Sequence, residues 1–295
     1  MLDYSLLSAL AAVLRTGSFE RAAHQLKVTP SAISQRVKLL EERVGTLLVV
    51  RGQPCTGTPA GQRLCQHCEQ VALLEADLRE ALPGVAPAAD PVTLRIAVTA
   101  DSLATWFMQA MAQIDGLLFD LVVDDQDYSA DWLRRGDVLA AVTGHGEPLQ
   151  GCDCRPLGAL RYVATASPAF VQRWFPEGID ETAAGQAPCL TFNRKDRLQS
   201  QWLRQVIGKE ITQPTHWLPS SQAFVDGAMA GVGWGMNPEL LVAEHLRSGR
   251  LVALAAGLPL DLPLYWQFNR ICGQALSEVT RAVVRQASAT LVPSP

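Results

Sequence analysis

Between positions 31 and 38 the chain presents Ser31, Ser34, Gln35, Arg36 and Lys38, short or planar polar side chains interleaved with cations. Glutamine pairs bidentately with adenine and serine donates to or accepts from several bases, while lysine and arginine hold phosphates. Arg51 adds a further cation downstream. A second group of residues offers a different chemistry. Thr99-Ala100-Asp101-Ser102 and Ser220-Ser221 each place hydroxyls at what reads as a helix start, where free N–H groups attract anions. Asp124-Asp125-Gln126-Asp127 gathers carboxylates that repel one another unless solvated or matched by a cation. Anion donors opposite an acidic cluster suit a ligand carrying a carboxylate together with ammonium or guanidinium groups. A solvated acidic turn is the alternative for the aspartates. The candidate ligand contacts are therefore Thr99, Asp101, Ser102, Asp124, Asp125, Ser220 and Ser221.

These side chains need elements to hold them. Asp3 caps a first helix whose apolar positions Leu6, Leu7, Leu10 and Val13 recur at helical spacing and which ends near Thr16-Gly17. Ser18 caps a short second helix, 19–26, and Lys27-Val28 makes the turn. Thr29 caps, and Pro30 opens, a third helix that runs to Val44 and stops at Gly45. Ile33, Val37, Leu40 and Val44 form its buried face. Ser31, Ser34, Gln35 and Lys38 then lie on another face, flanked by Arg36 and Arg43, as in a helix-turn-helix reading a major groove. A small helical bundle with a solvated polar face is the rival reading. Leu47-Leu48-Val49-Val50-Arg51 reads as a strand and 52–57 as a turn, together a wing with Arg51 beside the phosphates.

Thr58 and Pro59 start a long helix reaching about Leu82. Its positions Ala60, Leu64, His67, Val71, Leu74, Leu78 and Ala81 alternate steps of four and three, a coiled-coil seam. Leu64, Val71, Leu74 and Leu78 are the expected dimer contacts, since operators are usually read by symmetric dimers. An amphipathic helix packed on its own chain is the alternative.

The chain of 295 residues has room for two domains, and 48% hydrophobic with 18% charged residues is a globular composition. No apolar stretch approaches the ~18 residues of a membrane span. The N-terminus lacks a basic and an apolar signal region, so a cytoplasmic protein without membrane partners is expected. Residues 1–68 hold eight Lys/Arg against four acids, whereas the rest holds 17 against 25. A basic head on an acidic body points to a polyanion-binding module joined to something else.

The head resembles the LysR-type transcriptional regulators. The resemblance is carried by 19–26 (FERAAHQL), 29–35 (TPSAISQ), Leu39-Leu40-Glu41, 47–51 and Thr58-Pro59-Ala60-Gly61. A Pro/Gly/Ala-rich hinge follows at 83–91. Beyond it, apolar strands (92–98, 117–123, 138–143, 157–165, 188–192, 214–218, 232–236, 250–254, 263–268) alternate with helices (102–114, 129–135, 168–174, 197–206, 221–230, 238–247, 274–290), the pattern of an α/β fold. The resemblance implies a winged helix-turn-helix domain at 1–58 and a linker and dimerisation helix at 59–82. It also implies an effector-binding domain at 92–295 of two Rossmann-like subdomains, similar to periplasmic binding proteins. Subdomain I takes about 92–163 and 265–295, and subdomain II about 164–264. A finer resemblance rests on 100–106 (ADSLATW), Leu133-Arg134-Arg135-Gly136 and 221–225 (SQAFV). These are similar to the ArgP/LysG subgroup, some members of which bear the older name chromosome replication initiation inhibitor; the subgroup senses lysine and arginine and activates a basic amino-acid exporter. Thr99 stands where that pattern leads one to expect asparagine.

Other constellations are thinner. Cys65-Gln66-His67-Cys68 has CxxC spacing, and Cys152-Asp153-Cys154 is the imaginable other half of a zinc site. The first lies mid-helix, however, and no paired Cys/His spacing follows, so no metal or cofactor is expected. Gly231-Val232-Gly233-Trp234-Gly235 lacks the rest of a dinucleotide fingerprint and reads as a backbone turn. No GxSxG, HExxH or P-loop pattern suggests an enzyme. The sequence thus points to a DNA-binding regulator controlled by a basic amino acid. Its expected partners are promoter DNA, further copies of itself as a homodimer or homotetramer, and RNA polymerase. A regulator answering to another molecule, such as an organic acid, and a small-molecule-binding protein or enzyme with a helical appendage are the alternatives.

Overall fold

The computed structural model describes residues 2–82, 91–124, 129–255 and 257–294. Of the expected hinge at 83–91 only Pro91 is among them. Asp125 also lies outside the described residues.

The head folds as α1 (Tyr4–Thr16), α2 (Phe19–Gln25), α3 (Pro30–Val44), β1 (Val49–Val50) and β2 (Thr56–Gly57), followed by α4 (Pro59–Ala81). Local chemistry sets these limits. Asp3, Ser18, Thr29 and Thr58 each accept a hydrogen bond from a backbone N–H in the first turn they cap, and Gly17 and Gly45 close α1 and α3 in the left-handed region. Leu7, Leu10 and Val13 of α1 pack with Ala22, Ala23, Ile33, Val37, Leu40 and Leu48 into one apolar core. Val44, expected on that face, is exposed, because it is the last residue of α3 before the chain turns at Gly45. The wing is tied back to α3 by Glu41, whose Oε1 accepts from the N–H of Leu48 at 2.8 Å and of Val49 at 3.3 Å. It is tied to α4 at Gly61, where any Cβ would stand 2.0 Å from the carbonyl oxygen of Leu48, so only glycine fits.

The body begins with β3 (Val92–Val98), α5 (Ala100–Ser102), a π turn (Leu103–Phe107) and α6 (Met108–Met111). It continues through β4 (Leu117–Val123), α7 (Ser129–Arg135), β5 (Ala140–Thr143), β6 (Cys152–Ala166), α8 (Pro168–Trp174), α9 (Glu181–Gln186), β7 (Cys189–Thr191) and α10 (Leu198–Ile207). It closes with β8 (Thr215–Trp217), α11 (Ser221–Met229), β9 (Gly235–Pro238), α12 (Glu239–Arg247), β10 (Val252–Ala253), β11 (Leu260–Asn269) and α13 (Ser277–Thr290). The strands expected at 138–143 and 263–268 are β5 and β11. That at 157–165 is the longer β6, and α9 has no counterpart in the sequence reading.

One curled, mixed sheet spans the body. β4, β3 and β5 are parallel neighbours; β11 lies antiparallel to β5 and β6, and β6 continues past Tyr162 to pair with β9 and β10. β6 and β11 therefore run from one lobe into the other. A parallel pair, β7 and β8, completes the second lobe, with Cys189 bridged to Trp234. Trp106, Phe107, Trp202, Trp234 and Trp266 fill the principal core. Leu73 of α4 belongs to that core with only 3% of its surface exposed, so the linker helix is docked on the body as well as on the head.

Candidate functional site

On α3, Ser31, Gln35 and Lys38 are exposed, and Ser34 and Arg36 are half-buried. Ser31 Oγ lies 3.0 Å from the cap hydroxyl of Thr29, and Lys38 Nζ lies 3.8 Å from Glu42 Oε1, an exposed pair of little energetic weight. Arg51 is exposed where β1 ends, its guanidinium 5.6 Å from the Phe19 ring centroid. Ser31, Ser34, Gln35, Arg36 and Lys38 thus share the first three turns of one helix, and the wing holds Arg51 beyond it.

The expected dimer residues divide. Leu64 packs against the head's own core, and His67 Nε2 lies 3.3 Å from Tyr4 Oη of α1. Val71 and Leu74 are half-buried, and Leu78 is 57% exposed. Leu73, outside the seam, is the one drawn into the body. Burial pushes the Cys65 thiol up to about 12 and that of Cys68 up to about 11, with Glu69 adding to both, so neither is a ready thiolate.

Sheet register assembles the second site. Val98 pairs with Val123, so Thr99 and Asp124 leave their strands side by side at the carboxyl edge, and Asp124 N donates to Val98 O at 3.2 Å. Thr99 caps α5, which lifts Asp101 over that edge. From the other lobe the segment after β7 brings Phe192, Lys195, Asp196, Arg197, Leu198 and Gln201. Together with Thr99, Ala100, Asp101, Asp124 and Tyr162 of β6 these enclose one cavity. Among the described residues, three carboxylates and two cations therefore meet between the lobes.

Asp101 joins the lobes directly. Its Oδ1 accepts from Ser221 Oγ at 2.5 Å and its Oδ2 from Tyr162 Oη at 2.7 Å. Burial pushes its carboxyl above the usual range, opposed by those two hydroxyls and reinforced by Asp196. The Asp196 carboxyl is raised by burial too, against the N–H groups of Phe192 and Leu198 that it caps. Asp124 Oδ2 accepts from Trp132 Nε1 at 2.9 Å.

Of the expected ligand contacts, Thr99, Asp101 and Asp124 line the cavity. Ser102 is fully buried beneath Thr99, bonded to its hydroxyl at 2.8 Å, and does not line it. Ser221 is spent on Asp101, while Ser220 is exposed as the cap of α11. Lys195, Asp196 and Arg197 were not legible from their spacing. The strand expected at 188–192 followed by a helix at 197–206 is the signal that could have found them. Among the described residues no group of three or more His, Cys, Asp or Glu side chains is placed to hold a metal ion.

A winged helix-turn-helix head and a two-lobed body with a polar cavity between its lobes define a ligand-responsive transcriptional regulator. Residues 4–62 match the family described as "Bacterial regulatory helix-turn-helix protein, lysR family", and residues 90–291 match "LysR substrate binding domain". The chain belongs to the LysR family of DNA-binding transcriptional regulators, which bind promoter DNA and effector ligands and are oligomeric. It is 44% identical over 287 residues to the HTH-type transcriptional regulator LysG of Mycobacterium tuberculosis, covering 97% of this chain and 94% of that one. The crystal structure of ArgP from Mycobacterium tuberculosis superposes with a TM-score of 0.83 at 42% identity, all of both chains being covered. Full-length LysG of Corynebacterium glutamicum, solved with arginine bound as effector, gives 0.70 at 35% identity over 99% of this chain and 100% of that one. No helix among the described residues is long and apolar enough to cross a membrane.

Proposed function

We propose that this regulator answers to a basic amino acid, arginine or lysine, held in the cavity between its lobes. The observation that carries the reading is the charge balance of the walls. Among the described residues of the walls, three acidic side chains, Asp101, Asp124 and Asp196, face two cations, Lys195 and Arg197. A basic amino acid has two cationic groups and one carboxylate, the complementary set. The carboxylate has Lys195 and Arg197 to meet, in place of the expected Ser102 and its helix start. The arginine in the Corynebacterium relative supports the same class of ligand.

The regulated gene is read as a basic amino-acid exporter, on the subgroup resemblance. The protein acts in the cytoplasm as a homodimer or homotetramer with RNA polymerase as its further partner, and it senses rather than transforms its ligand. The working division is the head at 1–58, the linker helix at 59–82, the hinge at 83–91 and the effector domain at 92–295. Calorimetric titration of arginine and lysine into wild type and Asp124→Asn tests the reading. Charge-assisted hydrogen bonds are worth ~1.5–3 kcal/mol, so the variant should lose roughly tenfold or more in affinity. Heat from neither ligand with the wild type overturns the reading, and equal affinities remove Asp124 from the site.

A further inference from the structure

Trp132 of α7 stands between the cavity and the linker helix. Its indole N–H holds the Asp124 carboxylate at 2.9 Å. The guanidinium carbons of Arg135 and Arg95 lie 4.8 and 5.9 Å from the centroid of its ring, a cation–π arrangement on both counts. Arg135 Nε donates to Asp137 Oδ2 at 2.8 Å, and the other oxygen, Oδ1, accepts from Gln66 Nε2 of α4 at 3.0 Å. Gln66 Nε2 also lies 3.4 Å from the carbonyl oxygen of Arg135. The second guanidinium, Arg95, is instead paired with Asp120 of β4, its Nε lying 3.1 Å from Oδ2. Gly136 makes the approach fit. It turns with φ of +74°, and a Cβ there would stand 3.0 Å from Gln66 Oε1.

We propose that Trp132 is the positioning residue that couples the cavity to the linker helix. It aims Asp124 at the ligand's cation and passes the ligand's arrival through Arg135 and Asp137 to Gln66. The proposal rests on the basic-effector reading above. A cationic group reaching Asp124 shares the carboxylate with the indole, because its two oxygens accept several donors at once, and it draws the carboxylate toward the cavity with the indole attached. As the indole follows, the ring and the Arg135 guanidinium over it shift. The Arg135 guanidinium leads to α4 through Asp137 and Gln66, so the shift reaches the helix that carries the head. Spatial continuity alone does not establish coupling, so the test must read α4 itself.

Full-length wild type, Trp132→Phe and Gln66→Met are titrated with arginine and lysine by calorimetry. Amide exchange is then followed by mass spectrometry with and without saturating ligand. Phenylalanine keeps a ring under the guanidiniums and deletes the N–H; methionine keeps the length of Gln66 and deletes its hydrogen bonds. In wild type, ligand should alter exchange over 129–137 and over 62–74. Gln66→Met should bind within about twofold of wild type, keep the first response and lose the second. Trp132→Phe should bind several-fold more weakly and, once saturated, lose the response over 62–74. A response over 62–74 that survives in both variants overturns the coupling, as does wild type that binds with heat while α4 stays silent. No heat from either ligand with wild type overturns the effector reading and this proposal together, and the missing heat distinguishes that failure from the others.

Discussion

Gln35 and Arg51 are both exposed on the head, and substituting them separates two kinds of DNA binding. Gln35→Ala should lose ~1–3 kcal/mol at one operator position and relax the preference there. Arg51→Ala should weaken all sequences alike and lower the slope of log affinity against log salt by about one unit. Binding to single-base operator variants at several salt concentrations reads both, and an unchanged preference order in Gln35→Ala would remove it from base reading. Inside the body, Asp101 makes a pH prediction. Burial raises its carboxyl in the empty protein, so the stability that its protonated form contributes is lost as pH rises through the raised value. A bound cation favours the ionised form, so binding should expel protons, and affinity should climb with pH until the empty protein is itself ionised. Titrations from about pH 5 to about pH 8 in buffers of different ionisation enthalpy test this. Constant affinity with no proton release would separate Asp101 from the ligand's cation. Thr99, Asp101 and Asp124 were legible because each stands where a strand meets a loop or helix start. Asp196 was not, because what makes it part of the cavity is a lobe packed opposite, which no local spacing encodes.

At the scale of elements, the caps were the most legible feature: Asp3, Ser18, Thr29 and Thr58 each work as side-chain chemistry dictates. The linker helix was read less completely. A heptad reading gives a helix one partner, whereas α4 touches the head through Leu64 and His67 and the body through Gln66 and Leu73. Gln66, Glu69 and Leu73 share a face by helical spacing, but with one apolar member among them they leave no hydrophobic period to detect. Two substitutions separate the faces. Leu73→Ala should cost ~2–5 kcal/mol in chemical denaturation, since it empties a core position. Leu78→Glu, exposed within one chain, should leave circular dichroism unchanged and lower the mass found by sedimentation. Unchanged mass would take the dimer seam away from that end of α4.

For the molecule as a whole, the head and the body have separate apolar cores, so unfolding should proceed in two steps. Arginine at a hundred times its dissociation constant stabilises the folded state of its own domain by ~2.7 kcal/mol. Scanning calorimetry should therefore show the body's transition rising with ligand while the head's stays in place. Both moving together would mean that the docked linker makes the chain one cooperative unit. The charge asymmetry of head and body was plain in the sequence. The curled sheet was not, because its pairing of β6 with β11, β9 and β10 joins residues about 70 to 120 positions apart.

The contact between Gly61 and Leu48 has a mechanical consequence. With the wing seated on its first turn, α4 and the head move as one lever, and Leu73 in the body's core is the pivot. From Leu73 back to Pro59 the arm is roughly 20 Å at ~1.5 Å per residue. A tilt of about 10° swings its end by roughly 3.5 Å, close to one base-pair step of ~3.4 Å. A small rotation about Leu73 is thus magnified at the far end of α4 to the scale of a single base-pair step.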